Sequence, residues 1–420
     1  MVYLKKAEAK DGVCIQDLEQ TVNAIIKNVE QRKDAALIQY NTQFDGNTRT
    51  TLRISGEEIK KAYKLTPPLL IEELHQVAER LRKFALRQKQ SLSGFDDFLI
   101  SPGIYLGQRI VPVDSCCCYI PGGGYPLYST AVMMGITAQV AGVRRIAMCT
   151  PTVNGTESIH PSTLVAMDIA GIHEIYALSG AHAIAAFAFG TPQIVPVDLI
   201  VGPGNQYVTE AKRQCFGKIG IDFLAGPSEI LIIADENANP AYIAADLISE
   251  SEHDYQAIGR LITTSKKLGE EVLLQIEKQL LEMEAEEIAE VSWRENGEVI
   301  LVESLEEACA LANQIAPEHL ELQLKDTDSA AAMLHNYGSL FLGEHSAVVY
   351  SDYINGINHT LPTGKSARYT GGVWVGTFSK ICTVQHVTRE GAGQIAKVAA
   401  SLAEGEGFPG HASAARIRFE

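Results

Sequence analysis

The sequence predicts an α/β protein with two sheet-bearing domains, on three observations. From residue 145 onward, short apolar runs alternate with amphipathic stretches of helical spacing, the pattern of βαβ units and a parallel sheet. A second set of such runs begins at Val299. The chain has 420 residues, 46% hydrophobic and 20% charged, an ordinary globular mix. At roughly 150 residues per domain, that length suggests two or three domains.

The first hundred residues read as helical. Asp17 to Tyr40 carries Leu18, Val22, Ile25, Ile26 and Val29 at helical spacing. Glu57 to Leu92 continues in that style, interrupted at Pro67 and Pro68, and its apolar positions are too sparse for a coiled coil. The expected strands are Arg145–Thr150, Glu174–Leu178, Asp198–Val201, Glu229–Ala234 and Arg260–Thr264, with helices such as Ser162–Ile169 and Ala183–Phe189 between them. Val299–Val302 and Ser339–Leu342 are expected strands on either side of a helix at Glu306–Ile315. Lys266–Glu287 reads as one long helix whose Glu and Lys residues form a solvated face. The tail has a Gly-rich turn, Gly405–Gly410, and a basic end at Arg416 and Arg418.

Charge narrows the function. Lys and Arg number 35 against 51 Asp and Glu, a net charge of −16. Nucleic acid and anionic membranes require positive surface, so neither is an expected partner, and a small molecule or a metal is. The eight cysteines include three neighbours, Cys116, Cys117 and Cys118, which cannot staple distant parts of a fold and read as small buried hydrophobes. The polar N-terminus and the lack of a membrane-length apolar run suggest a soluble cytoplasmic protein with reduced thiols.

Seven segments carry candidate chemistry. Tyr119-Ile-Pro-Gly-Gly-Gly124 follows the cysteine run, and glycines after a strand let a ligand approach the backbone. Ile200-Val-Gly-Pro-Gly-Asn-Gln-Tyr207 joins a strand to the helical stretch from Val208 to Gln214. A dinucleotide fingerprint would want glycine at Tyr207, so this is a strand-to-helix loop of another kind, still able to offer N–H groups to an anion. Ala225-Gly-Pro-Ser-Glu229 is a tight turn entering a strand. Asn239-Pro240 reads as a helix cap and first residue, with the helix running on to His253. Glu250 and His253, three apart, would then share a face and could bind one Zn²⁺, though a surface pair would look the same. In Ala316-Pro-Glu-His-Leu320 a carboxylate and an imidazole adjoin, a general-base pair or else an exposed helix start. Asp352 to Thr363 packs Asp, Asn, Gly, His and Pro into an aperiodic loop, and Glu406-Gly-Phe-Pro-Gly-His411 lies near the terminus.

Taken in order, these segments resemble the histidinol dehydrogenase family, over almost the whole chain. The resemblance implies a zinc- and NAD-dependent dehydrogenase that oxidises L-histidinol to histidinal and then to histidine with two NAD⁺. It implies an intertwined homodimer with one zinc ion per subunit and two incomplete Rossmann-like domains with parallel sheets. The implied organisation is an N-terminal extension (1–13), a first domain (14–98 with 229–373), a second (99–228) and a tail (374–420) reaching the partner's site. Metal ligands fall on Glu250, His253, Asp352 and His411, and the general-base pair on Glu318 and His319. Substrate contacts fall on Ser228, Glu250, His253, His319, Asp352, His359, Glu406 and His411. NAD contacts fall on Tyr119, His182 and Asn205.

The chain departs from the family pattern at two of these positions. Glu250 and His182 stand where the family normally has Gln. A carboxylate binds zinc, but Glu250 with Asp352 would cancel both charges of the ion and make Mn²⁺ an alternative. Ala367-Arg-Tyr-Thr-Gly-Gly-Val373 is more similar to relatives that oxidise sulfopropanediol or other small alcohols, whereas Ser129 and Thr130 resemble the histidinol enzyme. A second reading is therefore a dehydrogenase of the same fold acting on another small alcohol. A third is a non-catalytic metal-binding regulator, against which the intact Glu318, His319, Asp352, His359 and His411 argue.

Overall fold

The computed structural model describes residues 1–8, 15–122, 125–283 and 286–418. Residues 9–13 of the expected N-terminal extension, Gly123 and Gly124 of the first glycine segment, and residues 284–285 lie outside them.

The cysteine run is the middle of the strand Ser115–Tyr119, buried on both faces. Successive side chains of a strand point to opposite sides. Cys116 and Cys118 therefore enter one core with Ile120, and Cys117 and Tyr119 enter another. This strand is the centre of a five-stranded parallel sheet in the order Glu174–Ala177, Arg145–Thr150, Ser115–Tyr119, Leu199–Val201, Gly220–Ile221. The strand order reverses between Ser115–Tyr119 and Leu199–Val201, which opens a crevice beyond the carboxyl ends of those two strands.

Helices Tyr128–Ala141 and Pro161–Ile169 cover one face of this sheet, and Gly180–Phe189 and Gln206–Cys215 the other. The N-terminal helices form outer layers on the same sheet. Ile15–Arg32 and Asp34–Tyr40 join the core containing Cys117, while Gly56–Leu65 and Pro68–Ser91 join the core containing Cys116. The expected grouping of 14–98 with 229–373 thus departs from the way the cores are shared. The second sheet already has both faces covered by its own helices, so the N-terminal apolar stripes find their partners on the first.

The second sheet has six strands: Val2–Lys5, Glu298–Leu301, Ile258–Thr263, Glu229–Ala234, His319–Gln323 and Ser339–Leu342. All neighbours are parallel except Val2–Lys5, which runs antiparallel on the edge. Its order also reverses once, between Glu229–Ala234 and His319–Gln323. The long helix expected at Lys266–Glu287 is two, Lys266–Glu282 and Glu286–Asn296.

A third sheet has no counterpart in the sequence reading. Phe95–Ser101, Ile104–Pro112 and Ser379–Val387 form an antiparallel ribbon, followed by helices Arg389–Gly405 and Pro409–Arg416. Phe95, Phe98, Leu99 and Ile100 are exposed, so the first strand has no alternation of buried and exposed residues to betray it.

Candidate active site

Helix Leu305–Ile315 stops at Ala316, which adopts a left-handed conformation (φ 52°) ahead of Pro317. The residue before a proline is disfavoured in the α region, so the chain turns sharply here. It passes directly into His319–Gln323, paired with Glu229–Ala234. Glu318 and His319 therefore stand at the amino edge of a buried sheet, 6% and 3% exposed, and not at an exposed helix start.

Hydrogen bonds fix both side chains. Glu318 Oε2 accepts from Ser228 Oγ and from the Glu229 N–H, each at 3.0 Å. His319 Nδ1 lies 3.2 Å from the Glu229 carbonyl oxygen. A carbonyl only accepts, so Nδ1 carries a proton, and in the neutral ring Nε2 is then the lone pair. That Nε2 is buried without a partner.

Glu250 completes the cluster. Its helix, Pro240–Ser251, begins as expected, with Asn239 accepting from the Ala241 N–H and Pro240 at the first position. Glu250 Oε2 lies 3.5 Å from His319 Nδ1, and Oε1 is buried without a partner. Ligand-type atoms of Glu250, Glu318 and His319 lie within 4.8 Å of one another. Orphaned buried polar atoms are rare, and two of them beside two carboxylates fit a cation. Burial, then repulsion from Glu250 and Glu229, holds the Glu318 carboxyl well above the usual carboxylate range. Burial also raises Glu229, despite Arg260 and the Gly364 N–H.

His253 is placed differently from the expectation. The helix ends at Ser251, and His253 is exposed beyond it, so the two residues share no helical face. The chain turns here because the Asp254 side chain accepts from the Gln256 N–H, an alternative to continuing the helix. His253 remains within electrostatic reach of Asp352.

The loop from Asp352 to Thr363 lies across both sheets. Asn358 Nδ2 donates to Thr137 Oγ1 (3.2 Å), on a helix of the first sheet. The Gly226 N–H donates to Thr363, and the Gly364 N–H donates to Glu229 Oε1 (2.9 Å), on the second. His359 Nε2 is 2.9 Å from Thr130 Oγ1, and its Nδ1 is 3.6 Å from Asp352 Oδ1. Burial works to raise the Asp352 carboxyl, but the His359 hydrogen bond and the fields of His319, His359 and His253 outweigh it and lower it.

Glu406 and His411 lie on the exposed tail. Among the described residues, no hydrogen bond or ion pair joins them to the cluster; His411 packs on Phe408, with ring centroids 5.3 Å apart.

The nucleotide-type loops border the crevice of the first sheet. Gly202 (φ 123°) packs so closely that a Cβ there would stand 2.2 Å from the Tyr119 carbonyl oxygen. The missing side chain lets the two loops touch backbone to backbone, beside the N-terminus of a helix, whose N–H groups suit an anion. Asn205 caps helix Gln206–Cys215, accepting from the Tyr207 and Val208 N–H groups. Tyr119 is buried, its hydroxyl accepting from the Gly180 N–H at 3.2 Å. His182 is 1% exposed, its Nε2 lies 2.9 Å from Asn41 Oδ1, and Nδ1 has no partner. Burial pushes its pKa down to about 3.

Two functional features escaped the sequence reading. Glu229 anchors both His319 and the Asp352–Thr363 loop; its one visible signal is an acid opening an otherwise apolar strand. Thr130 holds His359 from the opposite layer, a contact that no local pattern encodes.

Comparison with known proteins agrees with this geometry. Residues 9–419 match the family model described as histidinol dehydrogenase. A histidinol dehydrogenase homolog of Shouchella clausii is 43% identical over 96% of this chain and 94% of its own. The histidinol dehydrogenase of Agrobacterium fabrum is 42% identical over 96% of this chain and 93% of its own. The crystal structure of histidinol dehydrogenase from Elizabethkingia anophelis superposes with a TM-score of 0.91 at 36% identity, covering 98% of this chain and 94% of that one. The molecule is an NAD-dependent oxidoreductase that also uses a metal. The chain belongs to the histidinol dehydrogenase family.

Proposed function

We propose that the protein oxidises L-histidinol to L-histidine through histidinal, reducing two NAD⁺, with one zinc ion per subunit. The observation that carries this reading is the buried pair Glu318 and His319, with the His319 Nε2 lone pair free and Glu250 Oε1 unpartnered beside it. The name shared by the relatives supports the substrate.

His319 Nε2, kept unprotonated by the Nδ1 contact to Glu229, accepts the proton of the alcohol. Glu318, fixed by Ser228 and the Glu229 N–H, takes a proton from the water that attacks the aldehyde in the second oxidation. Its raised pKa makes it a stronger base than an ordinary carboxylate. His359, held by Thr130 and Asp352, and Ser228 line the substrate's path. Zinc held by Glu250, His253, Asp352 and His411 would offset the buried carboxylates and orient the substrate amine and ring, and NAD⁺ in the crevice bordered by Tyr119, His182 and Asn205 would receive hydride.

A homodimer follows from the same reading. Glu406 and His411 sit on a tail whose Ile395, Val398, Leu402, Phe408 and Ile417 are exposed in the single chain. A second copy would cover that face and receive both residues in its site. Seven free cysteines among the described residues suit the reducing cytoplasm, and no described helix is long and apolar enough to cross a membrane.

The test is NADH formation by purified protein with Zn²⁺ and L-histidinol. Two NADH per histidinol are expected. No NADH from histidinol, but turnover of sulfopropanediol or another small alcohol, would reassign the substrate. No turnover of any alcohol by zinc-loaded protein would leave a non-catalytic regulator.

A further inference from the structure

A lysine and an aspartate lie fully buried in the first sheet's layer, away from the Glu318 cluster. The Lys212 and Asp222 side chains are 2% and 0% exposed and form an ion pair. Both also grip one residue, Gly202, on either side of its Cα. Lys212 Nζ donates to the Gly202 carbonyl at 3.0 Å, and Asp222 Oδ2 accepts from the Gly202 N–H at 2.8 Å. Gly202, ammonium and carboxylate thus close a ring in which both polar groups of the glycine are satisfied by buried charge.

Stability alone does not account for this arrangement. Removing two charges from water costs several kcal/mol per ion, and buried pairs are often replaceable by apolar residues without loss. What the pair does fix is position. Gly202 is the residue that packs on the Tyr119 carbonyl, where a Cβ would meet oxygen at 2.2 Å. It joins the Tyr119 loop to the segment ending at Asn205, the two loops that border the crevice. Helix Gln206–Cys215, which carries Lys212, also holds the turn leading to Ser228, because Thr209 Oγ1 donates to the Ala225 carbonyl at 2.9 Å. One helix therefore clamps the crevice loop and braces the approach to the catalytic cluster.

We infer that Lys212 and Asp222 are positioning residues for dinucleotide binding: the buried ion pair holds Gly202 so that the loop to Asn205 presents its backbone to NAD. This rests on the NAD crevice proposed above. The pair bonds to Gly202 and to no residue of the Glu318 cluster, so its effect falls mainly on the dinucleotide.

The experiment compares wild type with the charge-neutral double variant Lys212→Met/Asp222→Asn, which leaves no lone buried charge. NADH binding is followed by fluorescence, alongside KM for each substrate, zinc content and melting temperature. The expected result is NADH affinity weakened about tenfold or more, as for loss of hydrogen bonds to charged groups. KM for NAD⁺ rises in parallel, with KM for the alcohol within about twofold and zinc retained. Should the double variant not fold, Lys212→Arg, which keeps the pair charged but alters its reach to the Gly202 carbonyl, should show a smaller shift in the same direction. A folded variant with wild-type NADH affinity, or one whose two KM values rise together, overturns the inference. Absence of NADH binding by the wild type overturns the proposed crevice instead.

Discussion

Replacing Glu250 by Gln tests the electrostatics of the cluster most directly. Glu250 and Glu318 place oxygens within 4.8 Å of each other in a buried site, with Glu229 close by. At an effective dielectric constant near 20, two unit charges at that separation repel by about 3 kcal/mol. In metal-free protein the hydrogen bonds from Ser228 and the Glu229 N–H offset this only in part, and burial with repulsion raises the Glu318 pKa well above the carboxylate range. A carboxyl whose folded pKa exceeds its unfolded value binds more protons folded than unfolded. Its stability contribution is therefore lost as pH rises above 4.5, the ordinary value, toward the raised one. Glu250→Gln removes one charge and keeps the size. Metal-free protein should gain up to about 3 kcal/mol at neutral pH. At roughly 1–2 °C per kcal/mol for a chain this long, the melting temperature should rise about 3–6 °C at pH 8 and much less at pH 5. Calorimetry of chelator-treated protein across that range reads both. An equal gain at the two pH values, or a loss at pH 8, would show that Glu250 and Glu318 do not repel as the geometry requires.

His319→Ala should lower NADH production about 10²–10⁴-fold, as for loss of a general base, while bound zinc measured by metal analysis is retained; full activity would remove His319 from the role. His411→Ala should release metal without lowering the far-ultraviolet helix signal, and stoichiometric zinc in the variant would refute the ligand assignment. His182 stays neutral in the folded state down to about pH 3 while the unfolded chain protonates near its ordinary 6.5, so acid favours unfolding between those values. His182→Gln should abolish a slope of about 1.4 kcal/mol per pH unit in that window, and urea midpoints at pH 6.5 and 4.5 that fall as steeply as in wild type would contradict it.

The elements legible in the sequence are those whose burial is local and regular. Glu229–Ala234 is readable because a strand buried on both faces is, after its first residue, an unbroken apolar run. Phe95–Ser101 is not, since six of its seven residues are exposed and no alternation of burial marks it. Within the site, Glu318 and His319 were visible as a motif, but their burial follows from pairing with a strand ninety residues earlier. The helix carrying Glu250 stops before His253, where an aspartate one residue on captures a backbone N–H, a contact that helical spacing does not reveal. Lys212 reads as a surface lysine in an amphipathic helix; only Asp222, ten residues on, shows why it is buried.

The two sheets reverse their strand order once each, yet use opposite ends. The crevice of the first lies at the carboxyl ends of its strands, where helix Gln206–Cys215 begins at Asn205. A helix N-terminus carries partial positive charge and unsatisfied N–H groups, which suits the phosphates of a dinucleotide. The catalytic cluster lies instead at the amino ends of Glu229–Ala234 and His319–Gln323, where helix Pro240–Ser251 terminates just beyond Glu250. A helix C-terminus is the negative end, and here it adds to three buried carboxyl groups. The loop from Asp352 to Thr363 holds these unlike ends together through Thr137 on one side and Glu229 on the other. The result is a cation-favouring pole and an anion-favouring one in the same molecule, a polarity that suits an oxidoreductase using a metal and an anionic cofactor. A net charge of −16 therefore does not oppose binding of the dinucleotide, because the field it meets is set by backbone N–H groups and not by the sum of the side chains.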